Sequence, residues 1–176
     1  DAYGTWTLVE HVPLEIYLNG VVPYEIGSNA PPAALAAQAV LARTWAMANL
    51  HRFKVDGYNL CSNTQCQVYK DPSQVQQNIK QAIKKTTGKI LTWDKKPINA
   101  VYHATNGGIM ASVNEAWSTN PVPYLSSRLD GPKHWISEID LPLSDEKKLK
   151  TFLFAGSQAF GSKHRLFRWN RRINSS

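Results

Sequence analysis

The feature that most constrains this fold is an alanine-rich stretch at residues 33–50. Six alanines lie between Ala33 and Ala42, and alanine is the strongest helix former. Asn29 is a suitable N-cap, and prolines such as the two at 31 and 32 are tolerated in a first helical turn. Small side chains let neighbouring backbone approach closely. The sequence therefore predicts a long, slim helix that is buried at the centre of the fold.

The rest of the chain mixes helical and extended patterns, and no internal repeat is present. Apolar spacing predicts a helix within residues 12–22, followed by a break at 23–32. Ser73 with Gln76 three residues on has the pattern of a capping box before another helix. Strands are predicted at residues 89–93, 98–103, 135–141 and 165–173. Without regular βαβ alternation, the predicted class is α+β, a single domain over residues 1–176 whose alanine-rich helix packs on antiparallel hairpins.

Composition narrows the classes of function. The chain has 176 residues, 43% of them apolar, with 6 Trp, 7 Tyr and 5 Phe, which excludes a mainly disordered protein. No apolar run reaches the roughly 18 residues that a membrane span needs. Its 20 Lys+Arg against 13 Asp+Glu give a net charge of +7, which suits an acidic polymer. Nucleic acid is not a predicted partner, because no zinc-finger, basic-zipper or RNA-recognition pattern is present.

Three positions are candidates for chemistry. Glu25 is an isolated carboxyl in the predicted break before the long helix, where it is either an ordinary solvated side chain or a general acid. Cys61 and Cys66 have the spacing of a disulfide, half of a metal site or two free thiols. His103 ends a predicted strand just before a glycine turn, a place where polar site residues often lie. A cysteine-dependent hydrolase that uses His103 is a further alternative.

Five blocks of this sequence, in their order along the chain, resemble the stage II sporulation protein D family, which includes the amidase enhancers. They are VPLEIYLNGVVPYE at 12–25, LAAQAVLARTWA at 35–46, CQVY at 66–69, KILTW at 89–93 and AVYHATNGG at 100–108. The resemblance covers about residues 10–130 well and the C-terminal part more weakly.

This resemblance implies a lytic transglycosylase that cleaves the glycosidic bond between N-acetylmuramic acid and N-acetylglucosamine in peptidoglycan glycan strands. Strands stripped of stem peptides are the implied substrate, and Glu25 matches the family's catalytic acid. One carboxyl group suffices, because the muramic C6 hydroxyl closes a 1,6-anhydro ring and replaces water as the nucleophile. The alternative within the family is a non-catalytic module that binds peptidoglycan or activates an amidase.

The resemblance also implies the other site residues and the setting of the protein. Substrate-contacting or site-ordering residues would be Gln38, Arg43, Tyr69, His103, Thr105 and Asn106. For Arg43 an ion pair on the helix is the other interpretation. Peptidoglycan strands are the implied partner, a cell-wall amidase is a further candidate partner, and the implied location is extracytoplasmic (periplasm, cell wall or secreted).

Two positions depart from the family pattern. Sporulation-type members have a His directly before the second Cys, as part of a zinc-associated set, and this chain has Gln65 there. We therefore predict no cofactor and no metal, with Cys61 and Cys66 as a disulfide or free thiols. Many members also have a Lys where this chain has Ala36, so substrate preference or activity is expected to differ.

Overall fold

A computed structural model describes residue 4 and residues 6–117 and 119–168. The helices in these ranges are α1 (Leu14–Ile26), α2 (Pro32–Asn49), α3 (Gln77–Lys85), α4 (Val113–Ala116), α5 (Lys133–Glu138) and α6 (Glu146–Ala155). The strands are β1 (Thr92–Trp93), β2 (Lys96–Pro97), β3 (Ile109–Met110) and β4 (Arg128–Leu129). β1 pairs with β2 and β3 with β4, both antiparallel. Helices and small antiparallel sheets confirm the α+β class.

The chain folds into two compact units, of which the first ends at Tyr102 and the second begins at His103. None of the helices in the described ranges is long and apolar enough to cross a membrane. The single catalytic domain over residues 1–176 stays a prediction.

The core of the first unit lies where α2 packs against α1 and α3. Leu35, Ala39, Ala42 and Ala46 of α2 are fully buried, which confirms a buried alanine-rich helix. Small side chains on this face leave room for the branched side chains of α1 and α3 to pack closely. The β1–β2 hairpin also touches α2 through Lys96–Pro97.

Helix α1 extends further than its apolar spacing predicts. It continues through Pro23 to Ile26, and the backbone N–H of Gly27 bonds to the Pro23 carbonyl at 3.1 Å. The predicted break at 23–32 is therefore wrong over its first four residues. A proline removes one helical hydrogen bond, and burial of Leu18, Val21 and Val22 in the core offsets that loss. Glu25 consequently lies in the last turn of a helix.

The helix starts differ from the predicted caps. Pro31, in an extended conformation, is the N-cap of α2, so Asn29 is not. Proline at the first helical position needs no hydrogen-bond partner for its nitrogen. Helix α3 begins after Gln76, and Ser73 instead donates to Asp71 at 2.9 Å. The Ser73 capping box is therefore wrong, because Gln76 and not Ser73 precedes the first residue of α3, and Ser73 bonds within its own turn instead.

The hairpin joins its strands by a two-residue turn. Asp94 and Lys95 both have positive φ, at 49° and 60°, which is the geometry of the tight turns that match strand twist. The N–H of Ile98 adds one bond to the Leu91 carbonyl at 3.1 Å. The strand predicted at residues 89–93 is therefore confirmed only at 92–93. Its partner is residues 96–97, before the predicted segment, so the strand predicted at 98–103 is wrong.

The second unit has its own core, in which Trp135, Phe152, Ala159 and Phe167 are buried. The predicted strand at 135–141 is wrong. Residues 133–138 form α5, since Pro132 supplies an extended N-cap and one helical turn buries Trp135 completely. Of the predicted strand at 165–173, residues 165–168 form turns and bends, and the remainder lies outside the described residues.

Candidate active site

The Glu25 carboxylate is held by a segment that is distant in sequence. Its Oε1 accepts the backbone N–H of Val68 at 2.6 Å, and the side chain is half-buried. The neighbours Tyr24 and Ile26 are 46% and 37% exposed, so shielding of the carboxylate comes from other side chains. Glu25 thus has a fixed position and partial access to solvent, as an acid/base group requires.

The hydroxyl of Tyr102 lies beside the Glu25 carboxylate and interacts with it. Burial, followed by the negative charge of Glu25, raises the pKa of Tyr102 well above that of free tyrosine. The phenol therefore stays protonated and can donate a hydrogen bond. Gln38 also lies next to this hydroxyl. Its side chain is 6% exposed, and its Nε2 makes no hydrogen bond of good geometry.

Gln67 connects two phenols beneath the carboxylate. Its Oε1 accepts the Tyr17 hydroxyl at 3.1 Å, and its Nε2 donates to the Tyr102 hydroxyl at 3.1 Å. Burial raises the pKa of Tyr17 well above its usual value, and the neighbouring Tyr102 and Glu25 add to the increase. Glu25 is therefore surrounded by neutral hydrogen-bonding side chains.

Tyr69 closes one side of this cluster. Its ring stacks on Tyr17 with centroids 5.2 Å apart, and its hydroxyl donates to Glu10 at 2.8 Å. The backbone N–H of Lys70 bonds to the Gly20 carbonyl in α1 at 3.0 Å. This close approach requires glycine, because a Cβ on Gly20 would collide with the Lys70 carbonyl and the Tyr69 ring.

Ionisation of Tyr69 at alkaline pH is expected to reduce the stability of the fold. Burial, and then the hydrogen bond to Glu10, raises the pKa of Tyr69 from 10.0 to about 12. A raised pKa favours the protonated form in the folded state, so this stabilisation is full below pH 10 and is lost as the pH rises through 12. We expect urea midpoints to fall less between those pH values in Tyr69→Phe than in the wild type. Identical pH dependence in the two proteins would contradict this assignment.

Arg43 is buried in a bidentate ion pair. Its Nε and Nη2 donate to the two carboxylate oxygens of Glu15 at 2.7 and 2.8 Å, and its Nη1 donates to the Lys89 carbonyl at 3.1 Å. The side chain is 1% exposed. Arg43 thus forms an ion pair, but a buried one between α2 and α1 instead of the pair on a helix surface that was the alternative. The guanidinium also bonds to the segment before the hairpin. A substrate carboxylate has no access to it.

Cys61 and Cys66 are bonded to each other, with Cα atoms 5.7 Å apart. Their sulfurs are therefore not available as thiolate ligands, and the neighbouring Gln65 is exposed and uncharged. Within the described ranges, no group of three His, Cys, Asp or Glu side chains is arranged to hold a metal ion. These residues do not fit the zinc set of the sporulation-type proteins, and the absence of zinc stays a prediction.

The disulfide precedes Gln67 and Val68, so its loss is expected to loosen both contacts around Glu25. Closing a loop this short contributes about 2 kcal/mol on the chain-entropy model. We expect Cys61→Ser/Cys66→Ser to lower the free energy of unfolding by about that amount, measured by urea denaturation. Reductant should destabilise the wild type equally and leave the double variant unchanged. A wild type that is insensitive to reductant, with the disulfide shown to be reduced, would contradict this expectation.

The other predicted site residues belong to the second unit. His103 is exposed. The Asn106 side chain accepts the Gly108 N–H at 2.9 Å and donates to Asp130 at 2.8 Å, so it orders the glycine turn. The Thr105 hydroxyl is buried and makes no hydrogen bond. Their predicted roles towards substrate stay predictions.

Sequence reasoning missed three members of the cluster in the first unit, namely Tyr17, Gln67 and Tyr102. Each lies inside one of the blocks that carry the family resemblance. Tyr17 precedes Glu25 by eight residues, a spacing that returns to the same broad helix face. For Gln67 and Tyr102 the sequence offered only their closeness along the chain to Tyr69 and His103.

Comparisons with known proteins identify the relatives of this chain. A family model described as stage II sporulation protein (SpoIID) matches residues 2–93, just over half of the chain. A domain of unknown function (DUF8618) matches residues 111–176.

Curated relatives include proteins named stage II sporulation protein D and amidase enhancer. Stage II sporulation protein D of Bacillus amyloliquefaciens is 39% identical over 135 residues, which cover 68% of this chain and 39% of that protein. The protein of that name in Bacillus subtilis (strain 168) is 34% identical over 134 residues. The amidase enhancer of Bacillus subtilis (strain 168) is 36% identical over 113 residues, which cover 64% of this chain and 15% of that protein. The match therefore spans about two fifths of the sporulation proteins. With the family model matching over half of its length, the chain belongs to the stage II sporulation protein D family.

Proposed function

We propose that this protein is a peptidoglycan lytic transglycosylase in which Glu25 is the general acid and then the general base. The observation that supports it best is the position of Glu25. Its carboxylate lies beside the partly buried Tyr17–Gln67–Tyr102 cluster, and the Val68 N–H fixes it at 2.6 Å. A positioned carboxyl in neutral surroundings is what proton transfer to a glycosidic oxygen requires.

In this mechanism the protonated Glu25 donates its proton to the oxygen between N-acetylmuramic acid and N-acetylglucosamine. The glycosidic bond breaks, and the N-acetylglucosamine part leaves as an alcohol. The Glu25 carboxylate then accepts the proton of the muramic C6 hydroxyl, and that oxygen bonds to C1 to form the 1,6-anhydro ring. The enzyme ends the cycle with its proton regained, so no water is consumed.

The surroundings of Glu25 suit both halves of this cycle. The Val68 N–H and the Tyr102 hydroxyl stabilise the carboxylate that forms after the first proton transfer. Since Oε1 is engaged with Val68, the acidic proton belongs on Oε2. The side chain is half-buried, which leaves part of the carboxyl group accessible to substrate.

The side chains proposed to contact substrate are those that are exposed to solvent. Tyr69 and His103 have accessible side chains and are proposed to contact the glycan. Tyr24 is exposed beside Glu25, with the Lys70 ammonium 4.9 Å from its ring centre, and offers an aromatic face to a sugar ring. Gln38 is proposed to order the site, since its amide is buried next to Tyr102. Asn106 orders the glycine turn of the second unit, and the roles of Thr105 and Asn106 towards substrate stay predictions.

The direct test is mass analysis of the products from denuded glycan strands. We expect wild-type protein to release fragments that end in 1,6-anhydro-muramic acid, and Glu25→Gln protein to release none above background. Reducing-end products without an anhydro ring would instead identify a hydrolase. Sensitivity to thiol alkylation would favour the cysteine-dependent alternative, which the Cys61–Cys66 bond does not support.

A second candidate function is amidase activation without cleavage of glycan. The 36% identity with a protein named amidase enhancer favours it. In that case wild-type and Glu25→Gln protein would release no anhydro products, and both would stimulate a cell-wall amidase to the same extent.

The proposed setting is outside the cytoplasm, with peptidoglycan strands as the partner. The disulfide supports this location, because disulfides persist in oxidising compartments. A net charge of +7 supports attraction to an acidic wall polymer.

A further inference from the structure

Gln67 is the most deeply buried polar side chain near the proposed acid. It is 1% exposed, and both ends of its amide are used within the protein, by Tyr17 and by Tyr102. The proton-transfer steps proposed above do not use this residue. A buried amide that is bonded at both ends in this way has one preferred orientation, because turning it over changes the direction of both bonds.

The neighbours of Tyr102 decide that orientation. The phenol oxygen accepts the Gln67 amide N–H at 3.1 Å and lies beside the Glu25 carboxylate, which is an acceptor. If Gln67 donates to Tyr102, the phenol must give its own proton to another acceptor, and Glu25 is the acceptor beside it. If the amide were reversed, Tyr102 would donate to Gln67 and Glu25 would lose this donor.

We propose that Gln67 is a positioning residue for the acid/base site, which directs the Tyr102 hydroxyl proton towards the Glu25 carboxylate. This inference rests on the proposed function for its catalytic meaning. Gln67 and Val68 are consecutive residues directly after the disulfide. One short segment thus supplies both supports of the carboxylate, through the Val68 N–H and through Tyr102.

The test is the titration of the Glu25 carboxyl group, followed by carbon NMR in protein labelled at the glutamate carboxyl carbon. Glu25→Gln assigns the signal. The titratable groups around Glu25 are the phenols of Tyr102 and Tyr17 with Tyr69 behind them, and the charge of Lys70 sits over Tyr24. Burial keeps the three phenols neutral over the range in which a carboxyl titrates.

We expect Tyr102→Phe to move the midpoint of this titration to higher pH, since a hydrogen bond to the charged form is lost. Gln67→Met keeps the side-chain length but lacks the amide, and we expect it to shift the midpoint in the same direction. The double variant should move no further than Tyr102→Phe alone, because the two residues act in series. Thr86→Val is the control, since it removes a different buried polar group of the first unit.

A folded Gln67→Met protein with the wild-type midpoint, or shifts that add in the double variant, would overturn the proposal. Tyr17→Phe is a second and milder variant, in which Gln67 loses the bond that fixes its orientation. It should give a smaller shift in the same direction, and no shift would also count against the proposal. The titration is independent of catalysis, so a wild type without anhydro products would refute the proposed function alone.

Discussion

Glu25→Gln is expected to abolish most of the lytic activity while leaving the fold intact. General acid catalysis typically contributes a factor of about 10²–10⁴ in rate, and one residue performs both proton transfers in the proposed mechanism. Glutamine keeps the size of the side chain and an oxygen that can accept the Val68 N–H. It has no proton of suitable acidity, so the turnover number should fall by at least that factor while substrate affinity changes little.

The matched control is Glu10→Gln. Glu10 is an exposed carboxylate bonded to Tyr69, at the edge of the same cluster, and its amide variant should keep activity within a few-fold. Release of anhydro products by folded Glu25→Gln protein at the wild-type rate would place the acid elsewhere. Asp56 would then be tested first. Glu115 is the weaker alternative, because its carboxylate caps α4 through Ser112 at 2.7 and 2.6 Å.

Glu15→Gln is expected to destabilise the first unit by about 2–4 kcal/mol. Removing one partner of a buried ion pair typically costs about 3–5 kcal/mol, and partial exposure of Glu15, at 36%, reduces that somewhat. The cost arises because Arg43 is 1% exposed and its charge would remain buried beside a neutral amide. Urea denaturation followed by far-ultraviolet circular dichroism measures the change.

Glu146→Gln provides the matched control for this prediction. Glu146 pairs with Lys150 at 2.7 Å on the surface of α6, where the two side chains are 80% and 63% exposed. Exposed pairs contribute about 0–1 kcal/mol, so this variant should unfold close to the wild-type midpoint. Equal effects of the two glutamine variants would show that burial does not set the strength of the Arg43 pair.

Local sequence patterns correctly predicted the elements in which successive residues favour the same secondary structure over several turns. The alanines of α2 favour a helix at each position and bury the same face, so its prediction needed no tertiary information. Short elements were harder to predict. Residues 133–138 form a helix instead of a strand, because one turn after Pro132 suffices to bury Trp135.

The candidate site, too, was predicted only in part. Glu25 was predicted from its block of sequence, but its surroundings were not. Tyr17 and Gln67 are 50 residues apart, Gln67 and Tyr102 are 35 apart, and Glu25 and Val68 are 43 apart. Contacts over such separations have no local periodicity, and they form only once α1 and the segment after the disulfide pack together.

By itself, the sequence determined the α+β class, the buried helix α2, the family and the identity of the candidate acid. Each of these depends on residue types and spacings within one block of chain. Only the tertiary structure decided that Arg43 pairs with Glu15 inside the protein and that Gln67 lies between two phenols. The physical reason is that a buried polar side chain bonds to the acceptors that lie beside it in the folded protein. Packing between segments that are distant in sequence decides which acceptors those are.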